Sequence, residues 1–390
     1  MNFNRIYFCL LIAQAFMACS EAQPPRLIVG AEQTDEYLPQ LLGKRVAVVT
    51  NHSGLVKETH LVDTLRALGV DIEKVLAPEH GFRGDRSDGI LITDGKDTQT
   101  GLPVVSIYGK TKKPTPAMLH DVEVVVFDIQ DVGARFFTYI STLHYVMEAC
   151  AENDKPLIVL DRPNPNGMYI DGPVLDTAYR SFVGMHPIPV VHGLTVGELA
   201  RMINGQGWLE KGVQCDLTII PVKHYTHARS YHLPVKPSPN LPNALAVRLY
   251  PSLALFEGTD VSVGRGTYQP FLQFGHPSFE GVFSHSFTPR SIPGMSKYPP
   301  HEGEVCYGQS LQNTVFEPHF TLDYLLLVYR DFEKKDEFFK PYFNTLLGQQ
   351  NTMKQIEEGL SAEEIRSTWQ KDLESYKRMR KKYLLYDDFE

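Results

Sequence analysis

Residues 122–161 read VEVVVFDIQDVGARFFTYISTLHYVMEACAENDKPLIVLD. A β-branched run ends at Asp128, a polar loop containing Gly133 follows, and apolar residues then recur at helical spacing from Phe137 to Asn153. A second apolar run, PLIVLD, closes the segment at 156–161. Runs that stay apolar instead of alternating belong to strands buried on both faces, as in a parallel sheet covered by helices. Strand, helix and strand in that order predict a βαβ unit.

The same alternation extends in both directions. Upstream lie RVAVVT (45–50), the helical pattern ETHLVDTLRALG (58–69), IEKVLA (72–77), PVVSIY (103–108) and a short helix TPAMLHD (115–121). Downstream, TVGELARMINGQG (195–207) reads as a helix and DLTIIPV (216–222) as a further strand. The predicted fold is therefore α/β, with a Rossmann-like, mostly parallel sheet. After about residue 235 the texture becomes rich in proline, glycine and aromatics, then helical, with a capping box SAEE at 361–364. This second region predicts a smaller C-terminal α+β domain. The expected division is a leader over 1–23, a Rossmann-like catalytic domain over 24–258 and the smaller domain over 259–390, completing a cleft.

In open parallel sheets ligands bind beyond the carboxyl ends of the strands. Those ends read TNHSG, PEHGFRGD, IYG, DIQDVGARFFTY and DRPNPNG. They gather Asn51, His52, Glu79, His80, Arg83, Asp128, Asp131, Arg135, Tyr139, Arg162 and Asn164 at one edge of the sheet. Any one of the acids could merely cap the next helix, as Asp131 could before ARFFTY. Five consecutive ends of this kind predict an active site. Glu79, beside a histidine and between apolar VLAP and GF, is suited to acid–base work.

Composition narrows the chemistry. The 390 residues are 43% hydrophobic and 22% charged, with a formal net charge of −8, which disfavours a nucleic-acid partner. The first βα turn lacks GxGxxG, and neither a P-loop nor GxSxG occurs, so no nucleotide cofactor is expected. His224, His227 and His232, and His301 with Glu302 and Glu304, lack familiar metal-ligand spacing, so no metal is expected either. GRGT, starting at Gly264, reads as a glycine turn between strands. Cys150, Cys215 and Cys306 form no disulfide framework. Residues 1–23 carry a basic start, a short apolar run and FMAC, which predicts export to the periplasm and, through Cys19, a possible lipid anchor as the sole membrane contact.

VTNHSG, PEHGFRG, DIQDVGARFFTY, DRPNPNG, HGLTVGELA, PSPNLP and EGTDVSVGRGT together resemble the exo-β-N-acetylmuramidases of peptidoglycan recycling. The resemblance covers most of the chain after the leader. It implies release of β-linked N-acetylmuramic acid from the non-reducing end of peptidoglycan fragments, in a cleft between the two domains, without nucleotide or required metal. Carried over by motif, Glu79 is the central catalytic carboxylate. Asp128 is the nominated second group, with Asp131, Glu257 and Tyr139 open beside it; Glu257 also joins the substrate-binding candidates. About 5 Å between the carboxyls would favour a covalent intermediate and roughly 6.5–9.5 Å direct attack by water. The lactyl carboxylate of muramic acid calls for a bidentate cation, for which Arg83, Arg86, Arg135 and Arg162 are available. Two rival readings are hydrolysis of an N-acetylglucosaminide and non-catalytic sugar binding in the periplasm.

Overall fold

The computed structural model describes residues 25–83 and 94–390. Its centre is a seven-stranded sheet of β1 (Arg45–Thr50), β2 (Asp71–Ala77), β3 (Gly95–Lys96), β4 (Pro103–Ser106), β5 (Val124–Asp128), β6 (Leu157–Leu160) and β7 (Leu217–Ile220). The strands lie in the order β7-β6-β5-β1-β2-β4-β3, all parallel except the short edge strand β3. The six parallel strands thus follow the Rossmann order, and the connection reverses direction between β1 and β5.

The apolar runs explain the sheet. Val46, Val48, Val124, Val126, Ile158 and Leu160 face one core, while Ala47, Val49, Val125, Phe127, Leu157 and Val159 face the other. Both faces are buried, so the strands need no polar alternation. The helix expected from the opening segment is Tyr139–Glu152, and Cys150 lies buried within it. The helix Val196–Gly205 begins with a capping box between Thr195 and Glu198. One boundary differs from the sequence reading. Thr59–His60 pairs with Leu55–Val56 in a small hairpin, and the helix starts only at Leu61, where the His60 ring accepts the Val62 amide.

The second part is smaller and mixed. Gln273–His276, His285–Phe287 and Cys306–Ser310 form an antiparallel sheet with Cys306–Ser310 in the middle. Helices Asp323–Asp331 and Ala362–Arg380 are the longest of those that follow. The last helix returns to the first part: Tyr376 donates to the His192 carbonyl at 2.6 Å, and buried Arg380 donates to the Gly193 carbonyl at 2.7 Å. The terminal residues then lie against β6 and β7. Tyr386 donates to Asp161 at 2.5 Å and accepts the Val222 amide at 2.8 Å, and the Leu385 amide reaches Glu198 at 2.9 Å. Among the described residues no helix is long and apolar enough to cross a membrane. Cys19 and Arg86 lie outside the described residues.

Candidate active site

Glu79 stands two residues beyond β2, where the chain makes a tight turn. His80 and Gly81 take left-handed φ values of 67° and 78°, and the Gly81 amide returns to the Pro78 carbonyl at 3.1 Å. Left-handed backbone is costly for histidine, and strain of this kind collects at functional turns. Tyr108, just past β4, donates its hydroxyl to Glu79 Oε1 at 2.8 Å. Thr138, at the start of helix Tyr139–Glu152, donates to Oε2 at 2.8 Å. Three successive strand ends therefore orient one carboxylate.

That carboxylate lines a cavity of about 630 Å³, a volume suited to a small glycan. Phe136, Phe137, Tyr139, Tyr250 and Phe271 supply its aromatic lining. Their rings pack edge to face: Phe137 lies 4.9 Å from Tyr139 and 5.8 Å from Tyr250. The second part contributes Glu257, from the turn Ala254–Gly258, and Arg265, which donates through Nε to Glu257 Oε1. Arg265 sits between two glycines with φ of 77° and 78°, and a Cβ on Gly264 would meet Gln273 Cγ at 2.7 Å. Tyr342 also lines the cavity. Burial, then the negative fields of Glu257 and Glu79, push its phenol up to about 12. Both glutamates therefore act on the same region of the cleft.

Some of the sequence candidates line this cavity and the others are engaged elsewhere in the fold. Glu79, His80, Tyr139 and Glu257 line it. Asp128, at the carboxyl end of β5, holds Arg162 through a buried bidentate pair at 2.6 and 2.9 Å, and Arg162 also reaches the Leu55 carbonyl. This pair occupies the crevice where the sheet reverses. Asn51 accepts the Ser53 amide and hydroxyl at 2.9 and 2.6 Å, and Asn164 accepts the Asn166 amide at 2.8 Å. His52 contacts the Lys236 carbonyl at 2.7 Å, and burial lowers its pKa. Asp131 accepts the Gly133 amide at 2.7 Å, and burial raises its carboxyl to about 7.

The arginines nominated for an anionic sugar have other partners. Arg83 donates to Asp97 at 3.1 and 2.9 Å and approaches Asp63 at 3.4 Å. Arg135 is fully buried and donates to four backbone carbonyls: Pro173 and Ile188 at 2.8 Å each, Leu346 at 3.1 Å and Leu347 at 2.6 Å. Neither lines the cavity. Sequence reasoning did not nominate Tyr108, Lys112, Phe182, Arg265 or Tyr342, all of which line it. The available signal was Tyr108 in IYG at a strand end and Arg265 within GRGT; the other three sit in segments without a strand-end signature.

Two groups of described residues have ligand atoms close enough to hold a metal: Asp260 with His276 and His301, and Glu148 with Glu152 and Glu210. Lys340 already pairs with Asp260 at 3.0 Å, and Lys113 bridges Glu148 and Glu152 at 2.9 and 2.8 Å. Neither group lines the cavity.

The chain is similar to known proteins along most of its length. Residues 46–245 match the N-terminal domain, and residues 248–386 the C-terminal domain, of exo-β-N-acetylmuramidase NamZ. A curated relative, the peptidoglycan β-N-acetylmuramidase NamZ of Bacillus subtilis, is 39% identical, over 94% of this chain and 92% of its own. Two crystal structures of DUF1343 family proteins from Bacteroides fragilis are similar throughout. One is 47% identical with a TM-score of 0.87 and the other 32% identical with a TM-score of 0.77; each match covers 93% of this chain and all of the other. With both halves matched in order, the chain belongs to the exo-β-N-acetylmuramidase NamZ family.

Proposed function

We propose that this protein is an exo-acting glycoside hydrolase that releases β-linked N-acetylmuramic acid from the non-reducing end of peptidoglycan fragments. The observation that carries the reading is the convergence of Glu79 and Glu257 on one aromatic cavity in a chain matched to the family over both domains. Glu79 is the central catalytic carboxylate. Tyr108 and Thr138 each hold one of its oxygens, which fixes the orientation a proton-transfer or nucleophilic group needs. Glu257 is the second carboxylate, held by Arg265. Asp128, committed to Arg162, stabilises the loops that carry the site. The aromatic lining excludes water from the sugar face and strengthens the electrostatics of the two carboxylates.

The test compares a chromogenic N-acetylmuramic acid glycoside with its N-acetylglucosamine counterpart, using wild type and Glu79→Gln. Wild type cleaves the muramic substrate preferentially. Glu79→Gln keeps its melting temperature and loses at least about 100-fold in kcat, the scale for a positioned acid or base. Near-native turnover by the variant removes Glu79 from the mechanism, and saturable binding without turnover by wild type favours a sugar-binding protein. Export to the periplasm, with Cys19 as a lipid-bearing residue, is part of the same proposal and rests on the pattern of residues 1–23.

A further inference from the structure

Among the described residues three cations line the cavity: Lys112, Arg265 and Lys297. Arg265 is engaged by Glu257. Lys297 is exposed and stands over the ring of Tyr298, itself 78% exposed, so both keep most of their water. Lys112 is different. Its side chain is half-buried, its Nζ lies 4.3 Å from the centre of the half-buried Phe182 ring, and no carboxylate among the described residues pairs with it.

Lys112 also has a fixed relation to the catalytic carboxylate. Tyr108 donates to Glu79, the Phe182 ring lies 6.1 Å from the Tyr108 ring, and Lys112 covers Phe182. Glu79, Tyr108, Phe182 and Lys112 thus follow one another along one wall. A pyranose with its anomeric carbon at Glu79 would lie beside these rings, with the substituent on C3 projecting away from the reacting centre. In muramic acid that substituent ends in a carboxylate; in glucosamine it is a hydroxyl. A cation partly removed from water, with only a ring face to answer its charge, gains most from an anion arriving at that point.

We infer that Lys112, seated on Phe182, is the subsite for the lactyl carboxylate and so the residue that selects muramic acid over glucosamine. This rests on the hydrolase reading given above. Lys112→Met, which keeps the apolar stem over Phe182 and removes the charge, is assayed on the muramic glycoside and on an analogue whose lactyl carboxylate is a neutral amide. The variant loses at least about tenfold in kcat/KM on the acid, between the effects of exposed and buried pairs, and changes little on the amide. Lys112→Arg recovers part of the loss. An equal loss on both substrates, or a carboxylate-selective loss in Lys297→Met instead, overturns the assignment. If wild type cleaves neither substrate, the hydrolase reading fails separately, and titration calorimetry with free N-acetylmuramic acid and N-acetylglucosamine decides. A preference for the acid that disappears in Lys112→Met sustains the subsite; no preference in wild type, or one that survives the substitution, overturns it.

Discussion

Replacing Arg135 with methionine tests whether its charge builds the fold or reads the substrate. The guanidinium donates four hydrogen bonds to carbonyls drawn from two distant stretches of chain, Pro173 and Ile188 on one side and Leu346 and Leu347 on the other. A hydrogen bond to a charged group contributes about 1.5–3 kcal/mol, so the four set an upper bound near 12 kcal/mol. Methionine recovers the desolvation cost of the charge, and the carbonyls relax toward other donors. The expected net loss is therefore about 3–5 kcal/mol, at the high end for a substitution that leaves buried polar groups unpaired. For a chain of this size that lowers Tm by roughly 4–7 °C. Arg135→Lys, with one compact ammonium in place of the planar fork, falls between the two. Differential scanning fluorimetry supplies Tm, and kcat/KM at low temperature, on the muramic substrate and its amide analogue, supplies the functional readout. The folded variant should show equal ratios on the two. Wild-type melting combined with a loss confined to the carboxylate substrate would refute this account and return Arg135 to substrate selection.

Asp131→Asn, which retains an oxygen for the Gly133 amide, should make stability fall more steeply as pH drops from 7 to 4, by up to about 1.4 kcal/mol per pH unit. Buried Asp131, raised to about 7, contributes stability that is lost as pH rises through 7, whereas buried His192, lowered to about 3, contributes stability that is lost as pH falls below its ordinary range, so removing Asp131 leaves the histidine slope less opposed, with buried Asp161, raised to about 6, still acting against it. Urea titrations across that range supply the slopes, and a variant with the wild-type pH profile contradicts the opposition. If Cys19 is lipidated, native protein partitions with membranes and Cys19→Ala interferes with lipoprotein processing; wild type that is wholly soluble, with a mature N-terminus at Gln23, argues for ordinary signal cleavage.

The sheet was readable because burial on both faces leaves unbroken apolar runs, and Val46 and Ala47 can face opposite cores without a polar residue between them. The position of Glu79 followed from the same logic, since a polar loop directly behind a buried strand has few places to go. What the residues alone did not reveal was the direction of each polar side chain at the strand ends. Asp128 and Arg162 turn inward and tie neighbouring loops together, because Asp128, Arg162 and Leu55 meet only in the assembled sheet, while Asn51 and Asn164 brace their own loops through Ser53 and Asn166. The arginines misled for a related reason. A guanidinium suits a row of carbonyls as well as a carboxylate, and Arg135 meets carbonyls more than two hundred residues away in sequence. Arg265 and Tyr342 enter the cleft from the second part, where no strand or helix period marks them in advance.

The bonds from Tyr386 back to the first domain set an order for biosynthesis. The Asp161 carboxylate and the Val222 amide are made well before the Tyr386 hydroxyl they bond. At about 5–20 residues per second, that partner is made roughly ten to thirty seconds after Val222. Until Tyr386 is made, the Asp161 carboxylate and the Val222 amide beside β6 and β7 lack this partner. A chain interrupted before Tyr386 therefore carries a first domain that still lacks this seal.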